Sequence, residues 1–362
     1  MTIDVEKVRR DFPYLEETLY LNTAAIGLSW SGQGAAAARY YDQMQMRGSD
    51  GREEWSAVAS RVQSQLARLM AVEPDEVGFV GSTTEALNLV FQALPIEPGD
   101  RVVFADDEFP SMKLALEALR FKGTQAHPIP IKEEPRRTDL LCKAATGARV
   151  VGVSHVHWAT GSRVDLHQLA GRCREEGAWL IVDGIQALGA IPVDAAASDV
   201  YAASVFKWLL SGFGLGVVVI RKPLREQLAP AFRGYSNPPP STDVTYGHIN
   251  YPGLYVLEAT LAYLERLGWD SIFQRTSALR DLLFERLSEL GVEIATPKDH
   301  TAGIISVRTR DSAELIMRLY QQGVRVVARD DLMRISPHFY NTEGEIDRFC
   351  KIFSATLKRS IS

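Results

Sequence analysis

Positions 201–220 read YAASVFKWLLSGFGLGVVVI, twenty residues in which Lys207 is the single charge. The length approaches that of a membrane span, but Ser211, Gly212, Gly214 and Gly216 break the run and Lys207 divides its apolar part, which argues against one. LGVVVI (215–220) reads instead as a buried strand. Two readings of Lys207 remain. A lysine at a strand end can bury its stem and keep its head in water. A lysine desolvated among apolar walls has its ammonium disfavoured, and the free amine attacks carbonyls.

Outward from this stretch, short apolar runs alternate with helical patterns, the sign of βαβ units and a largely parallel sheet. VGFV (77–80), RVVFA (101–105), ARVVGVSHV (148–156) and AWLIVD (178–183) are further strands. STTEALNLVFQAL carries one apolar helical face, and DLHQLAGRCREEG reads as a helix that stops at Gly177. After Arg221 the character changes. Residues 231–253 are rich in Gly, Pro, Ser and Asn, a long helix is predicted over 255–267, and VEIA, GIISVRT, GVRVVA and LMRIS then alternate with helices. Thr342 and Glu345 form a capping box for the last helix. These patterns predict a large α/β domain over 21–259, a small α+β domain over 260–362, and an N-terminal segment, 1–20, packing with the small domain.

Asp183 ends an apolar strand 24 positions before Lys207, at the strand end where open α/β sheets bind ligands. A carboxylate there can hold a pyridinium N–H; with Gly184 it can equally make the turn out of the strand. In GSTTEALNL (81–89) a strand passes directly into a helix, so that N–H groups and hydroxyls at the helix start suit a phosphate, although Ser or Thr before Glu is also a plain N-cap. Ser204 adds a further hydroxyl. Lysine, strand-end carboxylate and phosphate cradle together point to pyridoxal 5′-phosphate (PLP).

From YLNTAAIG (20–27) through GSTTEALNLV, DDEFPS, SHVHWATGSRVDL, LIVDGIQALGAIPVD and SVFKWLLSGFGLGVV to RISPHFYNTEGEID, the chain resembles the class V aminotransferases, fold-type I PLP enzymes. That family includes cysteine desulfurases, selenocysteine lyases, kynureninase-like enzymes and isopenicillin N epimerase-like proteins. Its most specific mark is VDGIQALG paired with the later SxxKW. The resemblance implies a large, mostly parallel sheet flanked by helices plus a smaller C-terminal domain. It makes Lys207 the Schiff-base lysine, Asp183 the partner of the pyridine nitrogen and Gln186 a contact of the phenolic oxygen. Ser82, Thr83, Thr84 and Ser204 would surround the phosphate. Phe109 stands where desulfurases carry a histidine over the ring, a place where an aromatic stacks but moves no proton; an ordinary core position explains it as well. Arg334 would clamp a substrate α-carboxylate with its planar fork, with Arg329 as a second arginine and Asn22 beside them; Asp330 and Asp331 also offer Arg329 a salt bridge. His157 would lie near the cofactor oxygen and His155 would pack or cap. His248 or Asn250 would reach a phosphate in the neighbouring subunit of a homodimer.

A net charge of −5 over 362 residues advertises no nucleic-acid surface. Cys142, Cys173 and Cys350 lie far apart, which fits a reducing cytoplasm and neither a disulfide framework nor a zinc site. The HxH at 155–157 lacks a third ligand at metal spacing, and the N-terminus has no signal-peptide core. The expectation is a PLP enzyme acting on an amino acid through an external aldimine, transamination being favoured because one lysine makes the 1,3-proton transfer. A β-lyase or an epimerase is the alternative within the family; a desulfurase is disfavoured because RVVARDDLMRIS holds no loop cysteine. A non-catalytic PLP sensor is the alternative of another class, and a nucleotide-binding protein lacks its glycine patterns.

Overall fold

The computed structural model describes residues 3–131, 134–299, 301–309 and 312–361. Its larger sheet has seven strands: β1 Val77–Val80, β2 Arg101–Ala105, β3 Gln125–Ile129, β4 Val150–Ser154, β5 Trp179–Asp183, β6 Val200–Ser204 and β7 Gly216–Ile220. They lie in the order β1-β7-β6-β5-β4-β2-β3. β7 is antiparallel to both neighbours and every other pairing is parallel. Strand periodicity divides the apolar residues between two faces. Val103, Ala105, Leu180, Val182, Val217 and Val219 enter one core cluster, while Val102, Phe104, Ile181, Val218 and Ile220 enter the other. Burial on both faces is why these strands read as continuous apolar runs.

Two strands escape the apolar-run criterion. QAHPI of β3 lies on the sheet edge, half-exposed, with a proline in its middle, as an edge strand tolerates. VYAAS of β6 is fully buried, but its two alanines carry little strand preference.

Helices cover the sheet: α1 Gln33–Arg47, α2 Arg52–Met70, α3 Thr83–Ala93, α4 Pro110–Ala118, α5 Leu166–Glu176 and α6 Tyr251–Leu267. α5 ends at Gly177 as predicted. α6 starts four residues before its periodicity suggests, because Asn250 Oδ1 accepts the Gly253 N–H (3.0 Å) and Pro252 falls in the first turn, where its missing N–H costs nothing.

The second core is built from α7 Trp269–Glu289, β8 Ile305–Arg308, β9 Val327–Arg329, β10 Leu332–Ile335 and α9 Glu343–Ile361, with α8 Ser312–Gln321 against it. The strands form an antiparallel sheet, β9-β10-β8. Leu19 and Leu21 join this core, and Leu19–Tyr20 pairs in parallel with Val324–Arg325. VEIA contributes one bridge, Ile294 to Val307, rather than a strand. The capping box forms: Glu345 N–H donates to Thr342 Oγ1 (3.1 Å) and Thr342 N–H to Glu345 Oε2 (3.0 Å). No helix of the described residues is long and apolar enough to cross a membrane.

Candidate active site

The parallel strands, with β1, end on one edge of the large sheet, and a cavity of about 150 Å³ opens there. At one end stand hydroxyls. Ser82 caps α3 by accepting the Glu85 N–H (3.1 Å). The Thr83 N–H donates to Ser204 Oγ (2.8 Å), and the Ser204 N–H donates back to Thr83 Oγ1 (2.7 Å), which locks the helix start to β6. Thr84 Oγ1 and Ser111 Oγ share a hydrogen bond (2.7 Å). The N-cap reading and the anion-site reading of GSTT are therefore compatible: Ser82 caps, and the hydroxyls and helix dipole still face the cavity.

On the cavity floor Asp183, at the end of β5, accepts the Ile185 N–H (2.9 Å). Burial pushes its carboxyl up to about 6, against that hydrogen bond and the charge of Lys207. Gln186 is buried beside it. Lys207 Nζ lies between two rings, 6.0 Å from the Phe109 centroid and 5.7 Å from that of Phe206. Burial, and then the Arg334 charge, push the lysine down to about 8, with Asp183 pulling the other way and Arg329 adding to the depression. Its backbone is also gripped: a Cβ on Gly27 would sit 2.0 Å from the Lys207 carbonyl oxygen, so only glycine allows the approach, and the Gly27 N–H donates to Phe206 O (2.9 Å).

Arg334 comes from β10. It is buried, donates from Nη1 to the Trp158 carbonyl (2.7 Å) and leaves Nε without a partner. Burial and the neighbouring Arg329 push it down to about 10. Asn22 Oδ1 is a second buried polar atom without a partner. Arg329 is exposed and forms no ion pair among the described residues; Asp331 pairs with Arg308 instead.

Over residues 35–349 the sequence matches the family model described as aminotransferase class-V. The chain belongs to that family. Among curated class V relatives it is 25% identical to an uncharacterized aminotransferase, YcbU, of Bacillus subtilis (strain 168), covering 94% of this chain and 95% of that one. It is 27% identical to a probable cysteine desulfurase of Pyrococcus abyssi (98% of each chain) and 28% identical to isopenicillin N epimerase of Streptomyces clavuligerus (83% and 85%). The fold is shared with the apo cysteine desulfurase of Thermococcus onnurineus NA1, at a TM-score of 0.90, 24% identity and 99% coverage of each chain. It is shared too with the cystine C–S lyase C-DES, solved with its product cysteine persulfide, at 0.87 and 21% over 95% and 99%. Membership in the class V family makes PLP the cofactor, and the side chains fit it: hydroxyls at a helix start for a phosphate, a buried carboxylate for a ring nitrogen, and a depressed lysine for a carbonyl.

Among the other residues assigned from the class V resemblance, His157 does not line the cavity. Its Nδ1 meets Thr160 Oγ1 (2.8 Å) and its Nε2 meets the Asp107 carbonyl (3.1 Å). His155 is buried against Tyr201 Oη (3.0 Å), and burial pushes it down to about 3. No three His, Cys, Asp or Glu among the described residues are grouped to hold a metal. His248 and Asn250 line a separate cavity, with Gly81 and Glu85. Both ends of the Asn250 amide are engaged, Nδ2 donating to Gly214 O (3.0 Å) and Oδ1 accepting from Gly253.

Sequence reasoning missed Ser111, Ser154, Trp158 and Phe206 on the cavity wall, and Glu108 behind it. The signal for two of them was present. Residues alternate along β4 and beyond it, so Ser154, Val156 and Trp158 face the cavity while His155 and His157 face away. Glu108 is buried and accepts the Ser154 N–H at 3.1 Å on each oxygen, together with the Ser154 hydroxyl. Burial pushes it up to about 7, against Arg137 and these hydrogen bonds.

Proposed function

We propose that this chain is an aminotransferase acting on an amino-acid substrate. The observation carrying the reading is that, of the described residues lining the cavity, Asp183 and Lys207 alone are ionisable. With Asp183 committed to the ring nitrogen, Lys207 is the one base left. A single base takes a proton from substrate Cα and returns it on the same face, the transfer that converts amino acid to keto acid. Epimerisation needs a donor on each face, and the wall near Lys207 offers the rings of Phe109, Trp158 and Phe206 instead. Persulfide chemistry needs an accessible thiolate. None of the three cysteines lines the cavity, and burial pushes Cys173 up to about 12 and Cys350 up to about 11.

In this reading the bound cofactor supplies a carbonyl for amines and an electron-withdrawing ring. Ser82, Thr83, Thr84 and Ser204 hold its phosphate, and Asp183 keeps its ring nitrogen protonated. Arg334 takes the substrate α-carboxylate with the Nε that lacks a partner, and Asn22 is a further substrate contact. Phe109 and Phe206 exclude water around Nζ. The proposed working unit is a homodimer in which His248 faces the partner; sedimentation equilibrium tests it.

The decisive experiment incubates the PLP-loaded protein with each common amino acid and a keto-acid acceptor. Keto acid formed in step with a new amino acid is the expected result. Pyruvate with ammonia and no amino-group transfer, or loss of optical rotation with no keto acid, would replace transamination by lyase or epimerase chemistry.

A further inference from the structure

Gln186 lies between two groups whose hydrogen-bonding roles admit no choice. The Trp208 indole N–H can only donate, and it meets Gln186 Oε1 at 2.9 Å. The Ala24 carbonyl can only accept, and it receives Gln186 Nε2 at 3.0 Å. The two contacts independently fix which end of the amide is oxygen, an assignment that geometry alone seldom settles. Nε2 has two hydrogens and Ala24 uses one. The second belongs to a cavity-lining residue that is almost wholly buried, so the amide faces the cavity as a donor.

Trp208 is held in turn from the small sheet's side. His338, three residues after β10, meets the Trp208 carbonyl through Nε2 at 3.1 Å, and since a carbonyl only accepts, the proton lies on Nε2. His338 Nδ1 is then a bare acceptor, and it is buried with no partner. Burial keeps the ring neutral, pushing it down to about 3. The rings of Trp208 and His338 pack edge to face, with centroids 5.3 Å apart. On the other side a Cβ on Gly303 would lie 2.6 Å from the Trp208 ring, so this glycine leaves the indole its place.

We propose that Trp208 and His338 are positioning residues that hold Gln186 as a hydrogen-bond donor to the phenolic oxygen of the cofactor. The chain runs from His338 Nε2–H to the Trp208 carbonyl, and from the Trp208 indole N–H to Gln186 Oε1. It ties the segment after β10 to the residue that follows Lys207. The proposal rests on the reading that the cofactor occupies this cavity with its phenolic oxygen at Gln186. Without the indole N–H the amide keeps only its bond to the Ala24 carbonyl and can swing about it, which takes the second N–H off the phenolic oxygen. The proton held between Lys207 Nζ and the phenolic oxygen would then lose its competing donor and be bound more tightly. The other charges near that proton, Asp183, Arg334 and Arg329, stay in place in the variants used below.

The test is the pH at which the visible band of the PLP-loaded protein titrates, read by absorbance with no turnover. Trp208→Phe keeps most of the ring volume and loses the N–H. It is expected to raise the midpoint by about one pH unit, a tenfold change in proton affinity. Gln186→Ala should raise it similarly, and Trp208→Phe on the Gln186→Ala background should add nothing, since the tryptophan acts only through the glutamine. His338→Leu should shift the midpoint upward, and His338→Gln, which retains an N–H donor, should restore it. A wild-type midpoint in Trp208→Phe, or an equal further shift when it is added to Gln186→Ala, overturns the relay. A wild-type midpoint in Gln186→Ala overturns it at an earlier step, by removing Gln186 from the phenolic oxygen. No visible band in the wild-type protein removes the cofactor reading on which all of it stands.

Discussion

Replacing Arg334 by methionine should make Lys207 a poorer nucleophile although the two residues do different jobs. The guanidinium is the largest charge acting on the lysine, second only to burial, and both push its pKa down to about 8. At a pH of about 7.5 such an amine is roughly one-quarter unprotonated, against roughly one part in a thousand for an ordinary lysine, an advantage of about 200-fold in reactive form. A buried like charge that acts on a lysine this strongly is worth about one pKa unit or more. Arg334→Met should therefore move the midpoint to about 9 and cut the free amine at that pH about eightfold. Asp183→Asn removes the one charge that raises the lysine and should move the midpoint down. The assay is reductive methylation of the cofactor-free protein over a pH series, with the peptide containing Lys207 quantified by mass spectrometry. Two variants of opposite sign make the outcome hard to mimic by general loosening. An Arg334→Met midpoint at or below the wild-type value, or an Asp183→Asn midpoint above it, would refute the view that these charges poise the lysine.

Glu108 holds its proton to about 7 in the folded chain, whereas an unfolded glutamate loses it near 4.5. Between those values the folded state binds more protons, so stability falls as pH rises through that window; the Tm of the wild type should drop across it more steeply than that of Glu108→Gln. Thr83→Val leaves the buried Ser204 N–H without its acceptor and should cost about 1–3 kcal/mol in urea denaturation. Gly27→Ala forces a Cβ against the Lys207 carbonyl; cofactor affinity by absorbance titration should fall at least about tenfold, with the circular dichroism spectrum retained. Thr296 Oγ1 donates to Thr160 O (2.7 Å) and accepts the Ser306 N–H (2.8 Å) across the two sheets' contact. Thr296→Val should raise KM for the amino-acid substrate while leaving cofactor affinity unchanged.

The strands buried on both faces were legible because a continuous apolar run needs no partner to be recognised. β3 and β6 were not, since an edge strand with a central proline and a strand rich in alanine owe their conformation to β2 and to β5 and β7 rather than to their own residues. That Ser82, Thr83, Thr84 and Asp183 line one cavity was legible for a related reason. Asp183 sits at a strand end and Ser82, Thr83 and Thr84 at a helix start, and each of these is a local pattern. Lys207 and Ser204 line the same cavity and are legible from their own surroundings in the sequence, whereas Phe109 and Gln186, which line it too, take roles only from likeness to a family. Trp158 and Ser154 alternate with two histidines, and alternation alone places them on the other side of the chain, toward the cavity. Glu108 carries no signal of its own, because burial beneath Ser154 follows from tertiary packing.

In the proposed reading one lysine serves two demands that conflict, and the charges around it suit both. To capture a carbonyl it must be unprotonated, and to take a proton from Cα it must be basic. Burial and two arginines, Arg334 and Arg329, favour the first by disfavouring the ammonium, with Asp183 alone opposing them. In the proposed reading a substrate brings its α-carboxylate to Arg334, and the neutralised guanidinium no longer depresses the lysine. Basicity at Nζ then rises once the substrate is seated, and only then. The same carboxylate offsets the proximity of Arg329 to Arg334, which lowers the affinity of Arg334 for its proton while it stands alone. An uncharged amine would gain no such response from the site. The discrimination in favour of amino acids over simple amines would thus arise in the proton transfer as well as in binding.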